Sequence, residues 1–442
     1  MVQGRAASTY ALCKRSGYSL NGSVHQLSIF LFFFRPVKVC CFDGNFLYLI
    51  LQRVYTGMVA VTGRTCYDRI RIFEVKRYFL IEMELFIAGG CGEHGRNCFY
   101  VEQNSAAFLV DCGLLAGAED DLPRLNAEQI QKLRAVFLTH SHADHTGALP
   151  WLAQQGYQGP VYATLPTLTQ LPFSLNHIQT LESLCPCKGS GSVPELPGLQ
   201  VTWGRSGHCA GSVWLRFEWN GKSILFSGDY AEHSPLYPCD PLRSQTADLA
   251  VLDAAYGSTD ADWNTCVKKL CVETVQCLKQ TQLLFFPVPK YGRGPEILLL
   301  LKRFAPNLKF YGDAHFLRQL QQIQLGGPWL LPVPPHFADW VQPDAFLSRE
   351  KSVVFLSGPQ LAGKAGQRAR EMVAHGAHGI MTGTPDAGSL SAEMLKNGQM
   401  LFLRYPVHLD AMQCRELAEK NQFGRVIPYH SPEIDCPCFF LL

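Results

Sequence analysis

The segment from Ala135 to His145 reads AVFLTHSHADH and joins an apolar run to a dense polar cluster. The apolar run predicts a buried strand, and the cluster begins where that strand ends. His140 and His142 point the same way from an extended backbone, because side chains alternate between its two faces. Asp144 and His145 follow at once. Imidazole and carboxylate groups this close together predict a metal site rather than a chance His-rich surface loop. Zinc is the preferred metal for these ligands, and iron or manganese is the less frequent alternative.

The charge of the chain is unevenly placed. Its 442 residues, of which 47% are hydrophobic and 17% charged, predict a globular protein of two or three domains. Residues 1–82 carry 11 Lys and Arg against 4 Asp and Glu, whereas the remainder carries 28 against 33. The larger part therefore has a net charge of −5 and no strong general field for a polyanion. Attraction of nucleic acid must then be local or come from bound metal.

The 17 cysteines are scattered and odd in number, and no secretory signal precedes them. This usage predicts reduced thiols in a cytoplasmic protein. Two Cys-Pro-Cys triplets, at 185–187 and 436–438, leave a thiolate metal site open as an alternative. The proline between the thiols and the long separation of the triplets disfavour it.

Residues 1–82 differ from the rest of the chain in their sequence pattern. Their longest apolar run, Leu27–Phe34, is far shorter than the roughly 20 residues that span a bilayer. We therefore expect no stable membrane association, with membrane tethering as the minor alternative. Met83 opens the apolar segment Glu84–Gly90, which predicts the first strand of an ordered domain. We expect the working protein to begin at Met83 and residues 1–82 to be a poorly structured extension without a fold of its own.

The remainder contains two kinds of sequence pattern. Asn220-Gly221 between the apolar segments 213–219 and 222–226 is the strongest short hairpin signal. From residue 260 to 382, helical and strand patterns alternate, which predicts a small parallel-sheet domain. Across this part of the chain, potential ligands recur where predicted strands begin or end, at His208, Asp229 and His430. Six or seven such ligands suit two metals that share one carboxylate, a centre that holds a hydroxide at neutral pH and cleaves at phosphorus.

From Met83 to His430 the sequence resembles the metallo-β-lactamase superfamily, and within it the β-CASP nucleases such as ribonuclease J and the mRNA 3′-end cleavage subunit. The motifs that carry the resemblance are the glycine-rich turn GGCGEHGRN at 89–97, LVDCG at 109–113, HSHADH at 140–145, GHCAGSVW at 207–214 and FSGDY at 226–230. The resemblance implies an α+β fold, a four-layer αββα sandwich at residues 83–259, a β-CASP α/β insert at 260–382 and a return to the sandwich at 383–442.

The resemblance also assigns roles within the site. Two zinc ions are implied, with one carboxylate as bridge and one acid supporting the ligand loop from behind. The first zinc takes His140, His142 and His208, the second takes Asp144, His145 and His430, Asp229 bridges, and Asp111 is the supporting acid. Asp144 also counts among the catalytic residues.

A second set of weaker motifs implies the proton donor. His408 falls at a motif histidine and is expected to protonate the leaving oxygen, oriented by Asp253. Asp253 stands where the family usually has Glu, and its shorter side chain predicts a looser contact with His408. Lys290 and Arg293, in PVPKYGRGPEIL, are expected near substrate phosphate, with plain solvated charge as the alternative. The other histidines are interpreted as ordinary surface or loop residues: His94, His177, His233, His315, His336, His375 and His378.

The leading hypothesis is a zinc-dependent phosphodiesterase acting on RNA, as an endonuclease or a 5′-exonuclease. The first alternative is a hydrolase of another ester or thioester, which the α/β insert disfavours because a small substrate needs no such lid. The second is a non-catalytic nucleic-acid-binding homologue, which the retention of every ligand position disfavours. RNA or another nucleic acid is thus the expected partner, and association into a homodimer is left open.

Overall fold

The computed structural model describes residues 25–31, 37–41, 59–61, 82–343 and 351–442. The chain divides into two compact units, Met1–Leu80 and Ile81–Leu442. In the first unit, β1 (His25–Leu31) pairs antiparallel with β2 (Val37–Cys41) on one side and β3 (Val59–Val61) on the other. This sheet is regular structure that the sequence patterns of residues 1–82 did not predict. The start at Met83 stays a prediction.

The second unit contains the remaining strands and helices. Its strands are β4 (Glu84–Gly89), β5 (Cys98–Gln103), β6 (Ala106–Val110), β7 (Leu133–Phe137), β8 (Val161–Ala163), β9 (Ile178–Thr180), β10 (Ser190–Ser192), β11 (Leu199–Arg205), β12 (Val213–Trp219), β13 (Lys222–Phe226), β14 (Thr246–Asp253), β15 (Leu283–Val288), β16 (Lys309–Gly312), β17 (Val341–Pro343), β18 (Ser352–Ser357), β19 (His378–Met381), β20 (Met400–Phe402), β21 (Gln422–Tyr429) and β22 (Phe439–Leu441). Its helices are α1 (Ala127–Lys132), α2 (Ala143–Thr146), α3 (Leu149–Gln154), α4 (Leu165–Gln170), α5 (Leu181–Leu184), α6 (Trp263–Gln280), α7 (Arg293–Phe304), α8 (Ala314–Gln324), α9 (Gly363–Ala374), α10 (Leu390–Lys396) and α11 (Ala411–Glu419). A 3-10 turn covers Phe337–Trp340.

Two sheets pack face to face in the expected sandwich. One has the strand order β22-β4-β5-β6-β7-β8-β9, the other β10-β11-β12-β13-β14-β21. Aromatic side chains interlock between them, with the Phe217 ring 4.5 Å from that of Phe108 and 4.8 Å from that of Phe137. Helices cover the outer faces, α1 and α3 over the first sheet and α11 over the second. The four-layer αββα arrangement is therefore confirmed.

Local signals explain how the sandwich is formed. Asn220 and Gly221 both have positive φ, 49° and 85°, which a tight turn between right-twisted strands requires. They close the hairpin of β12 and β13, in which Trp219 pairs with Lys222. The cap of α1 is a complete capping box between Asn126 and Gln129. The hairpin follows the sequence prediction.

The insert is a parallel sheet with helices on both faces. Its strand order is β17-β16-β18-β15-β19-β20. Successive residues of β15 alternate between two cores, since Phe286 packs with helices α6, α7 and α8 while Phe285 packs with α9 and α10. The expected return to the sandwich at residue 383 is wrong. Strand β20 pairs with β19, so residues 390–402 still complete the insert.

The cysteines differ from the expectation in one respect. Cys91 and Cys436 form a disulfide, so the prediction that every thiol is reduced is wrong. The thiols of Cys185 and Cys187 instead donate hydrogen bonds to Val201 O and Asp240 Oδ2. Within the described ranges, none of the metal-ligand groups includes a cysteine, so the structure gives no support to the thiolate alternative. No helix of the described ranges combines the length and apolar character needed to cross a membrane.

Candidate metal centre

The strand ends of the two facing sheets meet at one edge and carry the site. Strands β6 and β7 run parallel, as do β13, β14 and β21. Their carboxyl ends lead into Asp111, the segment 140–145, Asp229, Asp253 and His430. Parallel strands place such residues side by side, which is where open α/β sheets form their sites.

Asp111 holds the ligand loop from behind. Its carboxylate accepts hydrogen bonds from the Thr139 amide and hydroxyl, each at 2.8 Å, and from His145 Nδ1 at 2.7 Å. Both Asp111 and His430 have positive φ, 59° and 75°, a conformation that is rare outside glycine and concentrates at functional sites. The buried carboxylate therefore holds the proton on His145 Nδ1, so Nε2 is the nitrogen available as an acceptor, and the Asn97 amide lies 2.9 Å from it.

The first ligand group contains three imidazoles and one carboxylate. Its ligand atoms all lie within 4.8 Å of one another and belong to His140, His142, His208 and Asp229. Asp229 Oδ2 lies 3.4 Å from His140 Nε2 and 3.5 Å from His208 Nε2. These are the residues that the sequence assigned to the first zinc together with the bridging acid.

The second ligand group shares Asp229 with the first. Its members are Asp144, His145, Asp229 and His430, again with ligand atoms within 4.8 Å of one another. Asp229 Oδ1 lies 3.2 Å from His145 Nε2 and 3.1 Å from His430 Nδ1, and His430 Nε2 lies 3.1 Å from Asp144 Oδ2. Because its two oxygens face different groups, Asp229 has the geometry of a bridging ligand.

The polar atoms of the centre fit a metal. His140 Nε2 and His430 Nδ1 are buried, and neither makes a well-aligned hydrogen bond among the described residues, although oxygens of Asp229 lie 3.4 Å and 3.1 Å from them. Burial lowers the pKa of His140 and His208, which keeps both imidazoles in the neutral form that binds metal. Burial opposes protonation of His430 as well, but Asp229 and Asp144 outweigh it and raise its pKa to about 10. The carboxylates thus draw positive charge to the centre, and imidazole with carboxylate is a donor set that zinc accepts.

Backbone carbonyls from distant segments orient two of the imidazoles. His142 Nε2 donates to Tyr291 O at 3.0 Å, which leaves Nδ1 for a ligand. His208 Nδ1 donates to Val407 O at 2.9 Å, which leaves Nε2. Tyr291 precedes α7 of the insert, so the insert contacts the centre directly. Sequence reasoning missed both carbonyls, since no residue type marks them.

His94 was interpreted as an ordinary loop residue, and the structure places it in the site. Its ring stacks on that of His430 at 4.6 Å, and its Nδ1 donates to His430 O at 3.0 Å. Burial, followed by the charge of His430, lowers the pKa of His94 to about 4, so the ring is neutral. Its position in the glycine-rich turn 89–97 was the signal that could have singled it out.

His408 and Asp253 lie together beside the second group. His408 Nδ1 donates to Asp253 Oδ2 at 3.1 Å, so the contact forms despite the shorter acid. The same nitrogen lies 3.7 Å from Asp229 Oδ2, and His408 also belongs to a third possible ligand group with Asp229, Asp253 and His430. Tyr230 N donates to Asp253 at 3.0 Å, which further fixes the buried carboxylate.

The two cations expected near phosphate lie at the edge of the insert. Lys290 is exposed and its carbonyl accepts a hydrogen bond from His315 Nε2 at 3.1 Å. Arg293 is half-buried, and its Nη1 donates to Thr382 O at 3.2 Å. Neither belongs to a ligand group.

Comparison with known proteins identifies the domain that carries the centre. Residues 91–270 match the model of the metallo-beta-lactamase superfamily. The chain is 29% identical over 264 residues to transcription termination factor FttA of Methanothermobacter thermautotrophicus, covering 53% of this chain and 42% of that protein. It is 29% identical over 218 residues to a ribonuclease of Thermus thermophilus (44% and 48% covered), and 24% identical over 261 residues to Integrator complex subunit 11 of Danio rerio (51% and 43%).

A solved structure has the same fold. It is a protein of unknown function from Enterococcus faecalis, with a TM-score of 0.51 and 12% identity, and the match covers 82% of this chain and 100% of that one. Residues 91–270 thus form a metallo-β-lactamase domain, and the resemblance to β-CASP nucleases is confirmed. The chain spans less than half of the length of the curated relatives described above.

Proposed function

We propose that this protein is a metal-dependent hydrolase that cleaves phosphodiester bonds of RNA with two zinc ions. The observation that carries the proposal is the pair of ligand groups joined by Asp229, with His408 and its Asp253 partner beside them. The name of the Thermus thermophilus relative, a ribonuclease, supports RNA as the substrate.

Each ion has its own set of ligands. His140, His142 and His208 hold the first, Asp144, His145 and His430 hold the second, and Asp229 belongs to both. Two zinc ions there would lower the pKa of water and neutralise the charge that develops on a phosphate in transfer. Asp111 holds the His145 ring in place, as the Tyr291 and Val407 carbonyls hold two other rings.

His408 supplies the proton for the leaving oxygen. Asp253 accepts a hydrogen bond from Nδ1 of the ring, which leaves Nε2 for proton transfer. Burial of Asp253 and its bond from the Tyr230 amide hold the carboxylate in one place. Asp253 is therefore a positioning residue, because it acts through His408.

The insert favours a polymeric substrate over a small ester. The segment at Tyr291 reaches the centre and bonds a ligand histidine, so one wall of the site belongs to the insert. A small ester or thioester would need no such wall. The homodimer and the cytoplasmic location stay predictions.

The test is a digestion assay on end-labelled RNA and DNA oligonucleotides of the same sequence. We expect zinc-loaded protein to cleave RNA, and chelator-treated protein to lose that activity and regain it with zinc. Hydrolysis of thioesters but of neither oligonucleotide would favour the alternative hydrolase. Binding of RNA without cleavage by zinc-loaded protein would favour the non-catalytic alternative.

A further inference from the structure

Arg404 is a half-buried cation that has no counterion among the described residues. Its guanidinium carbon lies 4.3 Å from the centre of the Tyr256 ring and 5.3 Å from that of Phe402. Its Nη1 is buried and has no hydrogen-bond partner, and within the described ranges no carboxylate forms an ion pair with it. Arginine stays charged in proteins, and a partly buried charge without a partner is unfavourable. Binding of an anion would therefore stabilise this site.

Arg293 brings a second cation to the same place. Burial is the main cause that lowers its pKa, Tyr256 and Glu296 oppose this shift, and the charge of Arg404 adds to it, so both cations lie in the surroundings of Tyr256. A side chain at Gly383 would collide with the Arg293 guanidinium, so the glycine makes room for it. The neighbouring Glu296 gives little compensation, because its carboxyl binds Ser234 and burial raises its pKa to about 8.

The two cations adjoin the metal centre. Arg293 is the first residue of α7, two positions after the Tyr291 carbonyl that bonds His142. The N-terminus of a helix adds positive potential at this point. On the other side, the Tyr256 ring that Arg404 covers meets His408 edge-on at 5.3 Å. An anion held here would lie next to the reacting group rather than on the metals.

A further unpartnered group lies at the same place. Thr382 Oγ1 is buried without a hydrogen-bond partner among the described residues, and the carbonyl of the same residue accepts from Arg293. Guanidinium groups match phosphate oxygens in geometry and charge, and a hydroxyl can donate to the same oxygens. The donors on the two arginines and Thr382 therefore form a set suited to one phosphate group.

We propose that Arg293 and Arg404 bind the phosphate that flanks the cleaved linkage, so that the site takes a single-stranded polynucleotide rather than an isolated phosphodiester. The proposal rests on the proposed function and deepens it. It also gives the local attraction for a polyanion that the net charge of −5 in the larger part of the chain does not provide.

The experiment measures cleavage of two substrates and binding of one uncleavable RNA for each variant. Zinc-loaded wild type, Arg404→Gln and Arg293→Gln are assayed on a short labelled RNA and on bis(p-nitrophenyl) phosphate, which has no flanking phosphate. Arg303→Gln is the matched control, because Arg303 lies exposed at the far end of α7. Binding of a phosphorothioate RNA, which resists cleavage, is followed by fluorescence anisotropy over a range of salt concentrations.

We expect each of the first two variants to raise KM and Kd for RNA about tenfold, while zinc content and bis(p-nitrophenyl) phosphate hydrolysis stay at wild-type values. The slope of log Kd against log salt should fall by about 0.7 in each, as for one lost phosphate contact on a single strand. Arg303→Gln should change none of these quantities.

Two results would overturn the inference. One is an unchanged Kd for RNA in Arg404→Gln. The other is an equal loss on both substrates, which would mean that Arg404 only supports Tyr256 and His408. A third result would separate the two proposals. If wild type cleaves neither substrate, the proposed function fails. The phosphate site still stands if both variants bind RNA more weakly and with a smaller salt dependence than wild type.

Discussion

Removal of the His408 imidazole should separate proton transfer from metal binding. The ring lies outside the two groups that share Asp229 as bridge, and its Nδ1 bonds Asp253 at 3.1 Å. A positioned general acid contributes roughly 10²–10⁴-fold to a rate, which corresponds to about 3 to 5 kcal/mol of the barrier. We expect His408→Ala to lose RNA cleavage by that factor and to retain both zinc ions.

The supporting acid should matter less than the ring. In Asp253→Asn, the amide oxygen can still accept a hydrogen bond from His408 Nδ1, so part of the ring's orientation remains. The double variant should be no slower than His408→Ala alone, because residues that act as one unit are not additive. On bis(p-nitrophenyl) phosphate, whose leaving group needs no proton, His408→Ala should lose little.

The assay is single-turnover cleavage of labelled RNA, with zinc measured on the same samples. His336→Ala is the matched control, since His336 Nδ1 also bonds a carboxylate, Asp339 at 3.0 Å, but on the exposed surface. Wild-type cleavage by His408→Ala would refute the role of proton donor. Loss of zinc from His408→Ala would make it a ligand, in line with the third ligand group.

Three further outcomes are expected. Wild type should hold about two zinc ions, which Asp229→Ala reduces at both sites and His430→Ala mainly at one; metal analysis that finds unchanged zinc in Asp229→Ala would contradict the bridge. Burial raises the pKa of Glu296 from 4.5 to about 8, so its contribution to stability is present below pH 4.5 and is lost as the pH rises through about 8. Urea unfolding of Glu296→Gln should therefore show a smaller loss of stability between these pH values than wild type, and an identical pH dependence would disprove the assignment. A protein that begins at Met83 should melt no lower than the full chain in calorimetry, and aggregation or loss of zinc on truncation would rule out a dispensable extension.

Local sequence determined the parts of the molecule whose cause is local. The apolar run before His140 made a buried strand, and the ligands that follow it had to emerge at its end. The hairpin at Asn220-Gly221 needed only two residues with positive φ. The alternation after residue 260 made a parallel sheet, because helices follow β15, β16, β18 and β19 and return the chain to the start of the next strand. These features were predicted because neighbours within a few residues cause them.

Tertiary structure decided what depends on groups far apart in the chain. His94 is part of the site through a stack on His430, and the Tyr291 and Val407 carbonyls select which nitrogen two ligand histidines present. Strand β20 belongs to the insert because it pairs with β19, a residue-to-residue contact across two separate segments. Only the folded structure shows that Arg404 has no counterion among the described residues. Such contacts leave no pattern along the chain, since they arise only when the folded backbone brings distant segments together.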